Sequence, residues 1–280
     1  SAPPVFAGRA RGAATFLHES NSIPGRANRL VARFVDEAYV FFHGAAKRMR
    51  CARVRTTGMP VRSQFQPMDA AGCRLTLGLN AHKPVVLIMG GSQGASGINE
   101  LVMQALPKLE TMAPDLQFIH LTGTRDYAHV KAAYQHTKLK AVVEPFMTEM
   151  ELALGAASAA ISRAGASSLA EIAAMRLPSI LIPFPAAADN HQLFNARAFA
   201  DCGAARMVEQ SQATAEALNW LILELANNPV SRGAMANALE GWHFPNAAAD
   251  IVNHMLGVIG VGASACVETK ATAKPVSVAN

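Results

Sequence analysis

Six short apolar runs, each followed by a loop and a segment of helical periodicity, occupy the chain from about Pro84 onward. We interpret these runs as strands near 85–89, 117–121, 141–143, 159–162, 179–182 and 205–208. Strands that alternate with helices are typical of βαβ units, whose right-handed crossovers build a parallel sheet with helices on both faces. The sequence therefore predicts an α/β fold with a Rossmann-like, doubly wound domain. Such sheets bind ligands beyond the carboxyl ends of their strands, so we expect the functional residues in the loops that follow them.

The residues before this region contain less predicted sheet. We expect a strand near 13–17, a helix near 25–34 and a second strand near 38–42, followed by an arginine-rich connection. A core of about 60 residues is marginal on its own, so residues 1–62 are predicted to be the back half of a second domain. Gly58 and Pro60 suit an interdomain connection over 57–62. The complete domain is then expected over 63–256, with a poorly ordered tail over 257–280.

Composition excludes several classes of protein. Of the 280 residues, 51% are hydrophobic and 16% are charged, which is too apolar for a disordered chain. Stretches of about 18 uninterrupted apolar residues, which a membrane-spanning helix needs, do not occur in the sequence. The four cysteines lie far apart without a C-x-x-C pair, so neither a zinc site nor a disulfide framework is predicted and a reducing cytoplasm is expected.

Positive charge is concentrated at the front of the chain. Residues 1–62 carry eleven Lys or Arg against three acids, whereas residues 63–280 carry fourteen against seventeen. Such a basic segment could bind nucleic acid, a phosphorylated ligand or an anionic membrane surface. A solvated arginine-rich face is an equally good interpretation of the charge alone.

A glycine-rich segment, GGSQG at 90–94, follows the first strand of the complete domain and precedes a helix predicted over 95–112. Glycines permit a tight strand-to-helix turn, and backbone N–H groups at a helix N-terminus attract an anion such as phosphate. The same turn could serve only to let the helix pack closely on the sheet. The spacing matches neither the dinucleotide fingerprint nor the P-loop, so neither NAD nor ATP is favoured and no cofactor is predicted.

Glu171 stands three residues after Ser168, in a small-residue turn that follows the fourth strand. As Ser-x-x-Glu the pair fits a capping box, in which the carboxylate bonds the N–H of the N-cap residue. Alternatively, Glu171 faces a cleft at the start of a helix and accepts hydrogen bonds from a ribose diol. From the residues alone, capping is the favoured interpretation.

Polar side chains crowd the start of the helix after the fifth strand, at Asn190, His191, Gln192 and Asn195. Asp189 with Gln192 three residues later also fits a capping pair. Capping does not account for so many amide and imidazole groups at a ligand-binding edge. Neutral donors and acceptors suit sugar hydroxyls, which they bind without the desolvation of a charge.

His18 and Glu19 follow the apolar run of the front segment. They could supply or orient a general base, because imidazole titrates near neutral pH, although a histidine at a strand end is more often structural. The sequence contains no D-x-D pair. A nucleotide-sugar enzyme with this sequence would neutralise a leaving diphosphate with helix dipoles, backbone amides and arginine, so no metal site is predicted.

Together these segments resemble the MurG family of glycosyltransferases, which transfer N-acetylglucosamine (GlcNAc) from UDP-GlcNAc to a lipid-linked muramoyl-pentapeptide in peptidoglycan synthesis. The resemblance rests on HESNSIPGRANRLVARF, TGMPVR, VVLIMGGSQGASGIN, HLTG, VEPFMTEM, ISRAGASSLAEIAA, LPSILIPFPAAADNHQLFNA and PNAAADI, in the family's order from about Thr15 to Ile251. An ordered series is far more specific than one glycine loop. It implies the GT-B fold, with two Rossmann-like domains facing a cleft, of which this chain holds one complete domain and part of the other.

The resemblance also implies roles for individual residues. Ser92 and Arg62 would serve the donor diphosphate side, Met147 would meet the uracil through its backbone, and Asn21 matches a binding position across the cleft. Residues expected to line the nucleoside are Ala166, Ser167, Ser168, Leu169, Ala170 and Glu171, with Glu171 on the ribose. Gln192 and Asn195 would hold the GlcNAc hydroxyls. Further motif positions with less defined roles are Asn28, Asn99 and Arg163, together with His18 and Glu19 as the catalytic candidates.

The chemistry implied by the resemblance is an inverting displacement without a metal. The muramoyl C4 hydroxyl attacks the anomeric carbon of GlcNAc as UDP leaves, and a base takes the hydroxyl proton. The family's usual candidate base lies in a GGTGGH loop that this sequence lacks.

Expected partners follow from the same resemblance. They are UDP-GlcNAc, undecaprenyl-pyrophosphoryl-MurNAc-pentapeptide and an anionic membrane surface, but no nucleic acid. The expected location is cytoplasmic, peripheral on the inner face of the plasma membrane. Two alternatives stay open: a non-catalytic UDP-GlcNAc-binding half of a split transferase, and a UDP-GlcNAc 2-epimerase-like enzyme, against which the HESN and NHQLFN blocks argue.

Overall fold

The computed structural model describes residues 2–91 and 94–260, whose strands form two parallel sheets. The front segment contains α1 (Ala2–Ala10), β1 (Phe16–Glu19), α2 (Arg26–Val31), β2 (Glu37–Val40), α3 (His43–Ala46) and β3 (Val54–Thr56). Its three strands pair in the order β1-β2-β3, all parallel. A 3-10 turn over Ala32–Phe34 continues α2.

The front sheet differs from its prediction at both edges. Strand β1 begins later than expected because the N–H of Thr15 donates to the carboxylate of Asp36, at 2.7 Å. Strand β3 was not predicted, since Arg53 and Arg55 flank Val54 and the strand is mostly exposed at the edge of the sheet. An edge strand need not be apolar, so the periodicity that reveals buried strands is absent there.

The larger sheet has six strands: β4 (Val85–Met89), β5 (Gln117–Leu121), β6 (Lys140–Glu144), β7 (Ala159–Ser162), β8 (Ser179–Leu181) and β9 (Arg206–Met207). They lie in the order β6-β5-β4-β7-β8-β9, all parallel. This is the doubly wound order, in which the winding reverses between β4 and β7. The predicted α/β fold with a Rossmann-like sheet is confirmed, and the front segment forms a second parallel sheet of three strands.

Helices cover both faces of this sheet. The helices after β3 are α4 (Ala70–Thr76), α5 (Ser96–Met112), α6 (Tyr127–Gln135), α7 (Met150–Ala156), α8 (Ala166–Ala174), α9 (His191–Asp201), α10 (Ala215–Asn227), α11 (Pro229–Glu240) and α12 (Ala247–Ile259). All but α12 belong to the larger domain. Along β4, Leu87 packs into one apolar cluster while Val86 and Ile88 pack into the other, so the strand is buried on both sides. Among the helices of the described residues, none has the length and apolar character needed to cross a membrane.

Helix α12 returns to the front sheet. The ring of His254 stacks on that of Tyr39 in β2, with 6.4 Å between centroids. A Cβ added to Gly58 would lie 2.2 Å from the ring of Phe244. The helix continues to Ile259, three residues into the segment predicted to be a poorly ordered tail, although Gly257 lowers helix propensity. Residues 261–280 lie outside the described part, and the domain boundary at 62 stays a prediction.

Candidate functional site

The carboxyl ends of β4, β5 and β7 open onto a cavity of about 790 Å³. It lies at the point where the winding of the sheet reverses, which is where doubly wound sheets bind ligands. The described residues that line it are Gly90, Gly91, Gly94, Ala95, Ser96, Gly97, Thr124, Arg125, Arg163, Phe184, Gln192 and Gln210. Since this lining contains arginines but no Asp or Glu, the cavity suits an anion.

Gly94 and Gly97, at the start of α5, fit closely against their neighbours. Gly94 has a φ of +71°, and a Cβ there would come within 2.5 Å of the Thr122 carbonyl oxygen. A Cβ on Gly97 would lie 2.7 Å from the side-chain oxygen of Gln210. Close packing therefore explains these two glycines. The first turn of α5 also has no side-chain cap among the described residues, which leaves its N–H groups available to an anion. Ser92 lies outside the described residues, so its role stays a prediction.

Arg163, at the end of β7, brings a buried positive charge to the cavity. The residue is 7% exposed, and its guanidinium donates to the carbonyl oxygens of Ile182 and Pro183 and to the side chain of Gln210, at 3.0, 3.2 and 2.8 Å. Burial lowers the pKa of Arg163 to about 10, so it stays protonated at neutral pH. Because no carboxylate pairs with it among the described residues, an anionic ligand would supply the missing counter-charge.

A buried hydrogen-bond network supports the first turn of α5. The Asn99 amide donates to the Thr122 carbonyl and to Asp126, at 2.9 and 2.8 Å, and the Asn99 oxygen faces Nε2 of His120 at 3.0 Å. The Ser96 hydroxyl donates to Asp126 at 2.6 Å, and this bond is the largest cause that lowers the pKa of Asp126. Burial lowers the pKa of His120 to about 3, so the imidazole is neutral. Asn99, a predicted binding residue, is 2% exposed and is placed behind the cavity.

Glu171 lies on α8, and the structure contradicts its capping interpretation. The helix begins at Ala166 after Gly165, which adopts an extended conformation and makes no side-chain cap. Ser168 is therefore inside the helix, and Glu171 is too far along to close a capping box. Burial raises the pKa of Glu171, and the charge of Arg62 partly opposes this. Arg62, the other predicted donor residue named here, is thus near enough for its charge to act on the Glu171 carboxylate.

The other predicted nucleoside residues differ in how much they expose. The alanines and the leucine of α8 are buried in the core, whereas the serines are accessible: the buried set is Ala166, Leu169 and Ala170, and the accessible set is Ser167 and Ser168. Met147 is half-buried against the same core. Polar side-chain contacts with a nucleoside are therefore available from the serines and Glu171.

The turn before α9 contradicts the second capping interpretation. Asp189 and Asn190 are both left-handed, with φ of 51° and 53°, and Asn190 precedes the helix without a side-chain cap bond. The Asp189 carboxylate instead accepts from Arg26 at 3.1 Å and lies 3.6 Å from Arg29. The hydrogen bond from Arg26 is the main cause that lowers the pKa of Asp189.

Gln192 and Asn195 use their amides differently. The Gln192 oxygen accepts from the N–H groups of Ala164 and Phe184, at 3.2 and 3.0 Å, and its NH2 group has no partner among the described residues. Asn195 is fully buried, and its side chain accepts from the Ser22 N–H at 2.8 Å. Its amide also donates to Asn21 Oδ1 and to the Ala164 carbonyl, at 3.0 and 3.1 Å. Gln192 is thus free to bind a ligand, while Asn195 joins the front segment to the larger sheet.

Glu19 organises the loop after β1. Its carboxylate is 2% exposed and accepts from the N–H groups of Asn21 and Gly25, at 2.9 and 3.0 Å, and from the Asn28 amide at 2.8 Å. His18 is half-buried, with Nε2 2.9 Å from the Gly58 carbonyl oxygen, to which it donates. Neither of the two catalytic candidates lines the 790 Å³ cavity.

A second cavity of about 590 Å³ separates the loop before α2 from the start of α9. It is lined by Asn21, Ile23, Gly25, Arg26, Ala188, Asp189 and His191. Gln192 on the first cavity and His191 on the second are consecutive residues, so the two cavities adjoin at the start of α9. Within the described ranges, no cluster of three or more His, Cys, Asp or Glu side chains is placed to hold a metal ion.

Sequence reasoning missed Arg125, Phe184 and Gln210 as cavity residues. Each follows a strand of the larger sheet, after β5, β8 and β9 respectively. The rule that ligands bind beyond the carboxyl ends of parallel strands was the signal that could have identified them.

Comparison with known proteins agrees with this architecture. Residues 85–255 match the family model of the glycosyltransferase family 28 C-terminal domain. The chain is 37% identical over 238 residues to the UDP-N-acetylglucosamine--N-acetylmuramyl-(pentapeptide) pyrophosphoryl-undecaprenol N-acetylglucosamine transferase of Carboxydothermus hydrogenoformans, a match that covers 84% of this chain and 64% of that protein. It therefore spans a little under two thirds of that curated relative.

Solved structures with a similar fold include those of glycosyltransferases and epimerases. The crystal structure of Acinetobacter baumannii MurG matches with a TM-score of 0.74 at 30% identity, covering 91% of this chain and 71% of that chain. A UDP-GlcNAc 2-epimerase from Neisseria meningitidis matches with a TM-score of 0.65 at 11% identity, a likeness of fold alone.

Proposed function

The chain belongs to the MurG family of glycosyltransferases, and we propose that it binds UDP-GlcNAc and transfers GlcNAc to a lipid-linked MurNAc-pentapeptide in peptidoglycan synthesis. The observation that carries this proposal is the buried Arg163, which has no carboxylate partner among the described residues. It lines the cavity at the N-terminus of α5, whose described lining contains no Asp or Glu. A nucleoside diphosphate would supply the counter-charge, and the helix N-terminus would add to its binding.

The remainder of the donor has candidate partners around this cavity. Glu171 is half-buried, and the positive charge of Arg62 favours its ionised form. Its carboxylate would accept hydrogen bonds from the ribose. The uracil would meet the backbone of Met147. The free NH2 group of Gln192 would bind a GlcNAc hydroxyl, and Asn195 would do so once its bonds to the front segment exchange.

In the proposed reaction the muramoyl C4 hydroxyl displaces UDP with inversion. Arg163 and the N–H groups of α5 would stabilise the charge that develops on the diphosphate, without a metal. Of the two catalytic candidates, Glu19 accepts hydrogen bonds on both oxygens, which supports a positioning role for it. Nδ1 of His18 has no partner among the described residues, so His18 is the better candidate to receive the hydroxyl proton.

A lipid-linked acceptor would bring the protein to the inner face of the plasma membrane as a peripheral protein. The ring centroids of Phe6 and Phe34 lie 5.1 Å apart, and both side chains are partly exposed, as is that of Leu30, four residues before Phe34. Arg9 and Arg33 lie on the same two helical segments. An apolar patch with arginines around it supports attachment to anionic lipid, which flotation with anionic and with neutral vesicles would compare.

Calorimetric titration with UDP-GlcNAc, followed by transfer of labelled GlcNAc to a lipid I analogue, tests the proposed function. Arg163→Gln should weaken UDP-GlcNAc binding at least about tenfold, because hydrogen bonds to charged groups contribute about 1.5–3 kcal/mol. Lys83→Gln is the matched control, since Lys83 precedes β4 at the amino end of the sheet, where it pairs with Asp115. Donor binding without transfer would favour a non-catalytic donor-binding half, and no binding at millimolar donor would reject both functions.

A further inference from the structure

Arg125 brings a second positive charge to the 790 Å³ cavity. It stands in the loop between β5 and α6, whereas Arg163 follows β7, and these two strands flank β4 on opposite sides. The two arginines therefore reach the glycine-rich turn after β4 from opposite directions. The side chain of Arg125 is 79% exposed.

The position of this arginine is fixed by its neighbours. Its guanidinium donates to the hydroxyl of Ser96, the first residue of α5, and Nε donates to Asp126 at 3.4 Å. Asp126 is itself held by Ser96 and by the Asn99 amide. The loop is thus tied to α5, which keeps the guanidinium beside the uncapped N–H groups of that helix.

Arg125 also keeps much of its hydrogen-bonding capacity. A guanidinium has five N–H donors, of which those on Nη1 have no partner among the described residues. Asp126 neutralises the arginine only in part, because its second oxygen is occupied by Ser96 and Asn99 and its contact with Nε is long. A planar, always charged group of this kind matches phosphate oxygens bidentately.

We propose that Arg125 is a ligand of the β-phosphate of the donor, which is the terminal phosphate of UDP, so that the diphosphate lies between Arg125 and Arg163 at the N-terminus of α5. This inference rests on the proposed function, since it assigns a further contact to the same donor. UMP carries one phosphate and UDP carries two. A residue that binds the terminal phosphate therefore discriminates between these nucleotides, whereas a residue that only holds the loop does not.

Calorimetric titration of UMP and UDP into the full chain and three variants tests this assignment. Arg125→Gln should weaken UDP binding by about tenfold, the effect of one hydrogen-bonded charge, and UMP binding by less than about twofold. The UDP affinity of Arg125→Lys should lie between those of the parent and Arg125→Gln, because lysine keeps the charge but loses the bidentate geometry. Lys131→Gln removes a charge from the outer part of α6, where Lys131 bonds Tyr127, and should leave both affinities unchanged.

Three results would count against the proposal. UDP binding by Arg125→Gln equal to that of the parent would show that Arg125 does not contact the donor. An equal loss for UMP and UDP would show that Arg125 does not bind the β-phosphate and acts only by holding the loop. Melting temperatures of the variants establish that each is folded. If the parent binds neither nucleotide, the proposed function is wrong and the assignment of Arg125 falls with it, whereas parental UDP binding that survives Arg125→Gln rejects Arg125 alone.

Discussion

The carboxylate of Glu171 is half-buried, makes no hydrogen bond within the described residues and has its pKa raised by burial. A carboxylate held in this way destabilises the folded protein slightly when it is ionised. Ribose hydroxyls would offer the donors that the protein does not provide. If Glu171 binds the ribose as proposed, it does so at some expense of stability, as is common at ligand sites.

Glu171→Gln is expected to raise the melting temperature at neutral pH and to weaken UDP binding. Because the folded pKa is raised, the folded protein binds more protons than the unfolded chain between the two pKa values, so ionisation lowers stability as pH rises. The gain from glutamine should therefore shrink as pH falls toward the ordinary glutamate pKa of about 4.3. Thermal unfolding across this pH range measures the rise in melting temperature, with substitution of the exposed Glu216 by glutamine as control. A rise that does not change with pH would contradict the raised pKa of Glu171.

At the scale of elements, a chain of side chains joins α6, β5 and α5. Tyr134 faces Nδ1 of His120 at 3.3 Å, His120 bonds Asn99, and Asn99 bonds Asp126 beside Arg125. Because Asn99 donates through its NH2 group, its oxygen accepts, so Nε2 of His120 carries the proton and Nδ1 accepts from the tyrosine hydroxyl. The cavity floor is thereby anchored in the core of the sheet.

His120→Gln should flatten the acid side of the stability profile. The folded protein keeps His120 neutral down to a pH of about 3, whereas the unfolded histidine is protonated below about 6.5. Between these values the unfolded chain binds more protons, so stability falls with decreasing pH by up to about 1.4 kcal/mol per unit. Urea unfolding at several pH values compares the parent with His120→Gln and with the exposed His129→Gln as control. Equal slopes for the parent and His120→Gln would refute the buried neutral imidazole.

Periodicity is sufficient to predict the strands of the larger sheet and the approximate positions of β1 and β2, but not the edge strand β3 of the front sheet. Strand β4 is buried on both faces and so appears as an unbroken apolar run, whereas β3 is an exposed edge strand that contains Arg55. The same limit applies to the site. Arg163 and Gln192 follow strand ends, where any ligand residue is expected, but the role of Glu19 depends on backbone N–H groups that the loop alone brings to it. The position of a residue relative to a strand can be predicted from the neighbouring sequence. Its hydrogen-bond partners depend on how the chain folds and cannot be predicted in this way.

At the scale of the whole molecule, two kinds of contact join the front segment to the larger sheet near α9. Asn195 is buried and bonds the Ser22 N–H, 173 residues away in sequence. Arg26 and Asp189 form an ion pair at the surface, where the arginine side chain is 83% exposed. A buried hydrogen bond contributes more to the free energy of unfolding than an exposed ion pair does. Substitution should therefore affect stability more at Asn195 than at Asp189.

Asn195→Ala is expected to lower the free energy of unfolding by about 2–3 kcal/mol, because it leaves the Ser22 N–H and the Ala164 carbonyl without their partner. Asp189→Asn should change stability little, and its effect should disappear at high salt, since water and ions screen exposed charges. Urea unfolding at low and high ionic strength measures both. A larger loss for Asp189→Asn than for Asn195→Ala would reverse this assignment of the contact that joins the two parts.

The stacking of His254 on Tyr39 has a consequence for synthesis of the chain. Strand β2 leaves the ribosome early, but the helix that covers it emerges about 200 residues later, which at about 5–20 residues per second takes about 10–40 s. During that interval the ring of Tyr39, fully buried in the finished protein, has no α12 to pack against. The front sheet is therefore a candidate client for chaperones that bind nascent chains, and its folding is completed only after translation has passed His254.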